Sequence, residues 1–188
     1  MMFLLCSVWV FYVFLFAATY ADEIKLMTAG ISNMPGNSSA DVALVGYSLE
    51  FERTTMSCFI SKYESRDDEW VYRKLEFKEK SDDYDQEVTI RFKLKVCEGT
   101  DFLEVGESLP LRGYIGGSTI YQILYCDNTS LVMSNFKNDS SGYCSFWVTM
   151  DRVKNIPVEA NEAFHQRCKQ PKFVGYDQET CKYRIPRS

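Results

Sequence analysis

From Glu87 to Val96 the chain reads E-V-T-I-R-F-K-L-K-V, an alternation unbroken over ten residues. Val88, Ile90, Phe92, Leu94 and Val96 share one side, and Glu87, Thr89, Arg91, Lys93 and Lys95 share the other. Successive side chains of a strand point to opposite faces, so this is a strand with one dry and one wet face. On a helix the five apolar residues would be scattered around the circumference. Such a strand belongs to an antiparallel sheet, in a sandwich or a barrel, and not to a doubly wound parallel sheet. Neighbouring segments have to supply its partners.

They do so at short spacing. Strand signals begin at Val42, and Leu44 to Glu52 alternates with Val45, Tyr47, Leu49 and Phe51 on one face. Met56 to Tyr63 and Glu69 to Phe77 precede the alternating strand, and the acidic run Ser81 to Asp85 turns into it as a solvated loop. Phe102 to Val105, Leu109 to Ile115, Thr119 to Tyr125, Leu131 to Ser134 and Tyr143 to Met150 follow, with turn chemistry at Gly99, Gly116-Gly117, Asp127-Asn128 and Asn138 to Gly142. About eight strands at this spacing make an up-and-down barrel or a sandwich. The tail differs: Pro157 suits a first helical turn, and Ala160, Ala163, Phe164 and Cys168 recur at helical spacing. One helix is expected from Val158 to Lys169, then a short extended piece from Phe173 to Tyr176. The outline is all-β: an eight-stranded antiparallel lipocalin barrel with a C-terminal helix packed outside.

Residues 1–21 carry no charged side chain and end in small residues near Ala17, Ala18 and Ala21. They read as a signal peptide, so the mature protein is expected outside the cell, secreted and free of the membrane. Residues 22–41 are polar and broken by Gly30, Pro35 and Gly36, which suggests a loose N-terminal segment before a domain at 42–188. Cys6 leaves with the leader. Cys58, Cys97, Cys126, Cys144, Cys168 and Cys181 remain, an even set expected to form three disulfides. Sequons at Asn37, Asn128 and Asn138 fit the same route as glycosylation acceptors.

A net charge of −5 without a basic cluster argues against nucleic acid. The single His165 lies on the expected helix, far in sequence from any Gly-flanked serine, and no phosphate loop or metal-spaced cluster is present. The chain is therefore read as a binding protein and not an enzyme, with no cofactor and no metal.

From Tyr121 onward the order of motifs resembles the tick salivary lipocalins, the family of the histamine-binding proteins. Ile123-Leu124-Tyr125-Cys126-Asp127 is followed by the apolar strand Leu131-Val132-Met133. Cys144-Ser145-Phe146-Trp147-Val148, a Pro157-led helix reaching Cys168, and Val174 to Cys181 complete the succession. Upstream, Ser57-Cys58-Phe59-Ile60 is similar to the early cysteine-bearing strand. The resemblance implies a monomeric barrel that sequesters a small host mediator, histamine or another biogenic amine, to suppress host defence. It leaves room for a lipid mediator, or for a lipocalin that binds a host immune or clotting protein. It also implies a Cys58–Cys181 disulfide, and a second bond holding Cys168 to the barrel through Cys126 or Cys144. Cys126 is preferred because it stands closest to the family's usual partner, which leaves Cys97 with Cys144. Two departures stand out: Ser130 where a cysteine is common, and Ser145 where a glutamate able to meet an amine is usual.

An eight-stranded barrel has room for one small ligand. Tyr47, Phe51, Trp70, Tyr121, Tyr125 and Trp147 are the aromatic candidates to line it, with Tyr72, Phe92 and Phe146 behind them. Glu50 and Asp127 are the carboxylates singled out to hold a protonated amine, with Glu52 and Glu104 also in or beside strands.

Overall fold

The structure, a computed structural model, describes residues 31, 33–80, 85–97, 99–106, 118–135 and 142–181. The expected signal peptide, the candidate strand Leu109 to Ile115 and the Asn138 sequon lie outside these residues. Eight strands pair antiparallel in chain order: β1 (Val42–Ser48), β2 (Met56–Arg66), β3 (Val71–Lys80), β4 (Asp85–Val96), β5 (Phe102–Val105), β6 (Ile120–Cys126), β7 (Ser130–Asn135) and β8 (Cys144–Thr149). The ring closes because β1 pairs with both β8 and β2, with Val42 opposite Ser61 and Ala43 opposite Ile60. A helix, α1 (Val158–Arg167), packs outside against β6 and β7, and a short strand, β9 (Pro171–Phe173), pairs with β1. Closure leaves no free edge in the ring itself. No helix among the described residues is long and apolar enough to cross a membrane.

The alternating segment is β4. Ile90 and Leu94 are buried and Val88, Phe92 and Val96 half-buried, while Glu87, Thr89 and Arg91 are exposed. The apolar set packs with Val71, Leu75, Leu103, Ile123 and Leu131 to form the barrel interior. The wet face is not inert. Lys93 Nζ lies 4.1 Å from the centre of the Trp70 ring, and the Lys93 stem lies against Gly106, where a Cβ would sit 2.5 Å from its Cγ. Lys93→Glu is therefore expected to cost about 0.5–1 kcal/mol, seen as a fall of a few degrees in a thermal melt; no shift would mean that the stacking contributes nothing.

A second apolar layer lies outside the wall. On β8, Cys144, Phe146 and Val148 face outward while Ser145 and Trp147 face the interior. Ala160, Ala163 and Phe164 of α1 cover that outer surface, with the Phe164 and Phe146 rings 5.2 Å apart. Gly46 makes this approach possible: a Cβ there would sit 2.9 Å from Phe164 Cε1.

Three sequence expectations need correction. Val45 and Tyr47 do not share a face. The β1–β8 register shifts between Leu44 and Gly46, so the extra residue turns Val42, Leu44 and Tyr47 inward and Val45 outward toward the helix. The strand then stops at Ser48, and Leu49–Phe51 form a 3-10 turn.

The described part of the N-terminal segment is not loose. Ile31, Met34, Pro35 and Gly36 are buried against the interior, and Pro35–Asn37 form a 3-10 turn that plugs one end of the barrel. Gly30, Pro35 and Gly36 point to a loose segment there, but the apolar Ile31 and Met34 give it something to bury.

The cysteines form two disulfides among the described residues, not the expected three. Cys58 is bonded to Cys181, but Cys168 is bonded to Cys144 and not to Cys126. Cys144 alternates with Phe146 and Val148 on the helix-covered side, within reach of the end of α1, whereas Cys126 packs against the interior cluster. Cys97 and Cys126 remain half-buried thiols, in place of the expected third bond and of the Cys97–Cys144 pairing. Burial, with Asp127 adding to it, pushes the Cys126 thiol up to about 11, so it is protonated at neutral pH.

Candidate ligand-binding site

Inward side chains leave a cavity along the barrel. Phe51, Arg53, Met56 and Asn135 lie toward the end carrying the β1–β2 turn, and Gly36, Ser61 and Arg73 lie toward the plugged end. Between them the wall is Leu44, Tyr47, Phe59, Leu75, Phe92, Leu94, Leu103, Val105, Tyr121, Leu131, Met133 and Trp147, with Ser145 beside the last. Strands alternate, so every second residue of each contributes, and most of those are aliphatic or aromatic.

The floor is built on Arg73, which is fully buried. Its Nε donates to Ser61 Oγ at 2.8 Å. Nη1 donates to the Ser38 carbonyl at 2.9 Å and, more weakly, to that of Gly36 at 3.4 Å. Nη2 donates to the carbonyls of Ala40 at 2.5 Å and Ser61 at 3.0 Å. Burial lowers its pKa to about 10, with Asp41 and Tyr63 acting against the fall, so it is still charged at neutral pH. The guanidinium is thus spent on tying the N-terminal plug to the barrel. It went unremarked in the sequence, although Val71, Arg73 and Leu75 share one side of a period-two pattern.

The candidates divide. Tyr47, Phe51, Tyr121 and Trp147 line the cavity, as does Phe92. Burial raises the Tyr47 pKa, with Lys172 opposing and Glu52 adding to it. Trp147 Nε1 donates to Ser145 Oγ at 2.9 Å, so the serine at the expected glutamate position does face inward. The remaining four candidates lie outside the lining. Glu50 is exposed on the 3-10 turn. Trp70 lies on the outer face beneath Lys93 and Lys95, and its Nε1 donates to Glu69. Tyr125 packs on the outer layer beyond an irregularity in β6, donating to Asp127 Oδ2 at 3.0 Å. Asp127 Oδ1 accepts from Thr129 N at 2.6 Å and Ser130 N at 2.7 Å, which closes the β6–β7 turn.

The other two carboxylates are also engaged elsewhere, Glu52 with Lys172 and Glu104 with Lys95 at 3.5 Å. Among the described residues the lining contains no Asp or Glu, and its charged groups are Arg53 and Arg73. Tyr72 donates to Asp67 on the outside, and Phe146 is spent under the helix.

A closed antiparallel barrel with a cavity along its interior and a helix on its flank is a lipocalin. Residues 37–183 match the family model described as tick histamine binding protein, and the chain belongs to that family. It is 28% identical over 176 residues to Japanin-like-RS of Rhipicephalus sanguineus, covering 93% of this chain and 96% of that one. It is 29% identical over 159 residues to Japanin of Rhipicephalus appendiculatus, covering 82% and 88%. The solved structure of Japanin bound to cholesterol superposes with a TM-score of 0.72 at 27% identity, over 78% of this chain and 98% of that one. Family and fold are those of small-ligand-binding proteins.

Proposed function

We propose that the protein is a secreted ligand trap whose barrel takes up a neutral, largely apolar molecule of the sterol type, in preference to a protonated amine. The observation that carries this reading is the absence of any carboxylate from the described cavity lining. An ammonium group buried there would be desolvated without a counter-charge and would face the Arg73 cation. A sterol loses little on entering a wall of Leu, Val, Met, Phe and Trp side chains. The likeness to Japanin, which holds cholesterol in its solved structure, supports the same choice. The uncharged leader, the paired cysteines and the exposed Asn128 sequon support passage through a secretory pathway.

Titration calorimetry with cholesterol, histamine and serotonin tests this. One saturable site for cholesterol with a negative heat-capacity change is expected, and no heat with either amine. Tight amine binding would overturn the reading, and no heat with any of the three would leave a protein-binding role.

Ser145→Glu should move the preference. It places a carboxylate beside the Trp147 face, so cholesterol affinity is expected to fall by tenfold or more, at about 1.4 kcal/mol per tenfold, while serotonin binding becomes measurable. Unchanged affinities would mean that position 145 does not meet the ligand.

A further inference from the structure

Two buried side-chain hydroxyls among the described residues have no hydrogen-bond partner, Tyr121 Oη and Thr149 Oγ1. Tyr121 is part of the cavity wall and Thr149 is not. The other hydroxyls of the wall differ. Ser61 Oγ accepts from Arg73, Ser145 Oγ accepts from Trp147, and Tyr47 is half-buried. Tyr121 is only 5% exposed, opposite Leu103 on β5 and Asn135 on β7, with Ile123 next on its own face.

A hydroxyl that gives up water without finding a protein partner carries a standing cost, which a bound molecule can remove. Burial raises the Tyr121 pKa far above the ordinary tyrosine value, so the group keeps its proton at physiological pH and remains a donor. Around it the wall offers only apolar surface on β5 and β6.

Resting on the sterol-type reading above, we propose that the Tyr121 hydroxyl is the hydrogen-bond partner of the ligand's polar group. It thereby selects sterols bearing a hydroxyl or ketone over a sterol hydrocarbon of the same shape. Its partner-free state sets it apart from Ser61, Arg73 and Ser145, polar groups of the lining that already bond within the protein. A site built to hydrogen-bond such a group rejects the analogue lacking it, because its own polar atom then stays unpaired.

The test is a two-by-two comparison of wild type and Tyr121→Phe, each titrated with cholesterol and with cholestane, the saturated hydrocarbon of the same ring system and side chain without the hydroxyl. The substitution removes one partnerless oxygen and no apolar contact, so the ligand-free protein should melt no lower than wild type. Wild type is expected to prefer cholesterol by about tenfold or more, and Tyr121→Phe to lose about tenfold for cholesterol and nothing for cholestane. Cholesterol binding unchanged by the substitution, or an equal loss for both ligands, overturns the role of Tyr121 while leaving the sterol reading intact. Failure of wild type to bind either molecule overturns that reading, and this role with it.

Discussion

Arg73→Met is expected to lower stability by about 3–5 kcal/mol, because it strips donors from several buried acceptors at once. The carbonyls of Gly36, Ser38, Ala40 and Ser61 and the Ser61 hydroxyl all take a hydrogen bond from this one side chain. A methionine of similar length fills the space and returns none of them. The loss falls on the joint between the N-terminal plug and β2 and β3, so the plug should loosen before the ring opens. Arg73→Lys keeps the charge but cannot reproduce the planar fork, and should sit between the two. In thermal melts a loss of this size is roughly 10 °C or more for a domain of this length. Arg73→Met melting within about 2 °C of wild type would mean that the plug is not held through the guanidinium.

Removing the Cys58–Cys181 bond should cost comparably, and more than removing Cys144–Cys168. The two bonds close loops of 123 and 24 residues. In the chain-entropy model these separations correspond to about 4–5 and about 3 kcal/mol. The longer closure joins β2 to the C-terminal segment, while the shorter one joins the start of β8 to the end of α1. Paired Cys→Ser variants, each with the other bond intact, should rank in that order in denaturant midpoint. The reverse order would show that the reduced chain keeps enough structure to cancel the loop-length term. Non-reducing peptide mapping checks the pairing itself, with Cys97 and Cys126 recovered as thiols.

The barrel was legible in the sequence because its signal is periodic and local. The Val88 to Val96 alternation, the turn chemistry between segments and the Ala160, Ala163 and Phe164 spacing each follow from which side of an element meets water. Harder to read were features that depend on partners distant in the chain. Val45 and Tyr47 fell on opposite sides because a bulge near Gly46 shifts the period, and what Gly46 accommodates is Phe164, more than a hundred residues later. Cys144 bonds Cys168 because outward residues of β8 face the helix, a layer that alternation alone does not separate from the interior. Of the aromatic candidates, Tyr121 and Trp147 face the cavity from regular strand and Tyr47 and Phe51 face it in spite of a bulge and a 3-10 turn, while Trp70 and Tyr125 lie on the outside. Asp127 and Glu50 are candidates by charge and by their place in or beside strands, but one is consumed by its own turn while the other is exposed.

The chamber is proposed to take a neutral sterol-type molecule and to exclude amines. Native mass spectrometry of the oxidised protein, refolded with equal amounts of cholesterol, histamine and serotonin, addresses this in one experiment. The predicted spectrum shows one cholesterol per chain and no amine adduct. A spectrum dominated by an amine adduct, or by the bare chain, would contradict it.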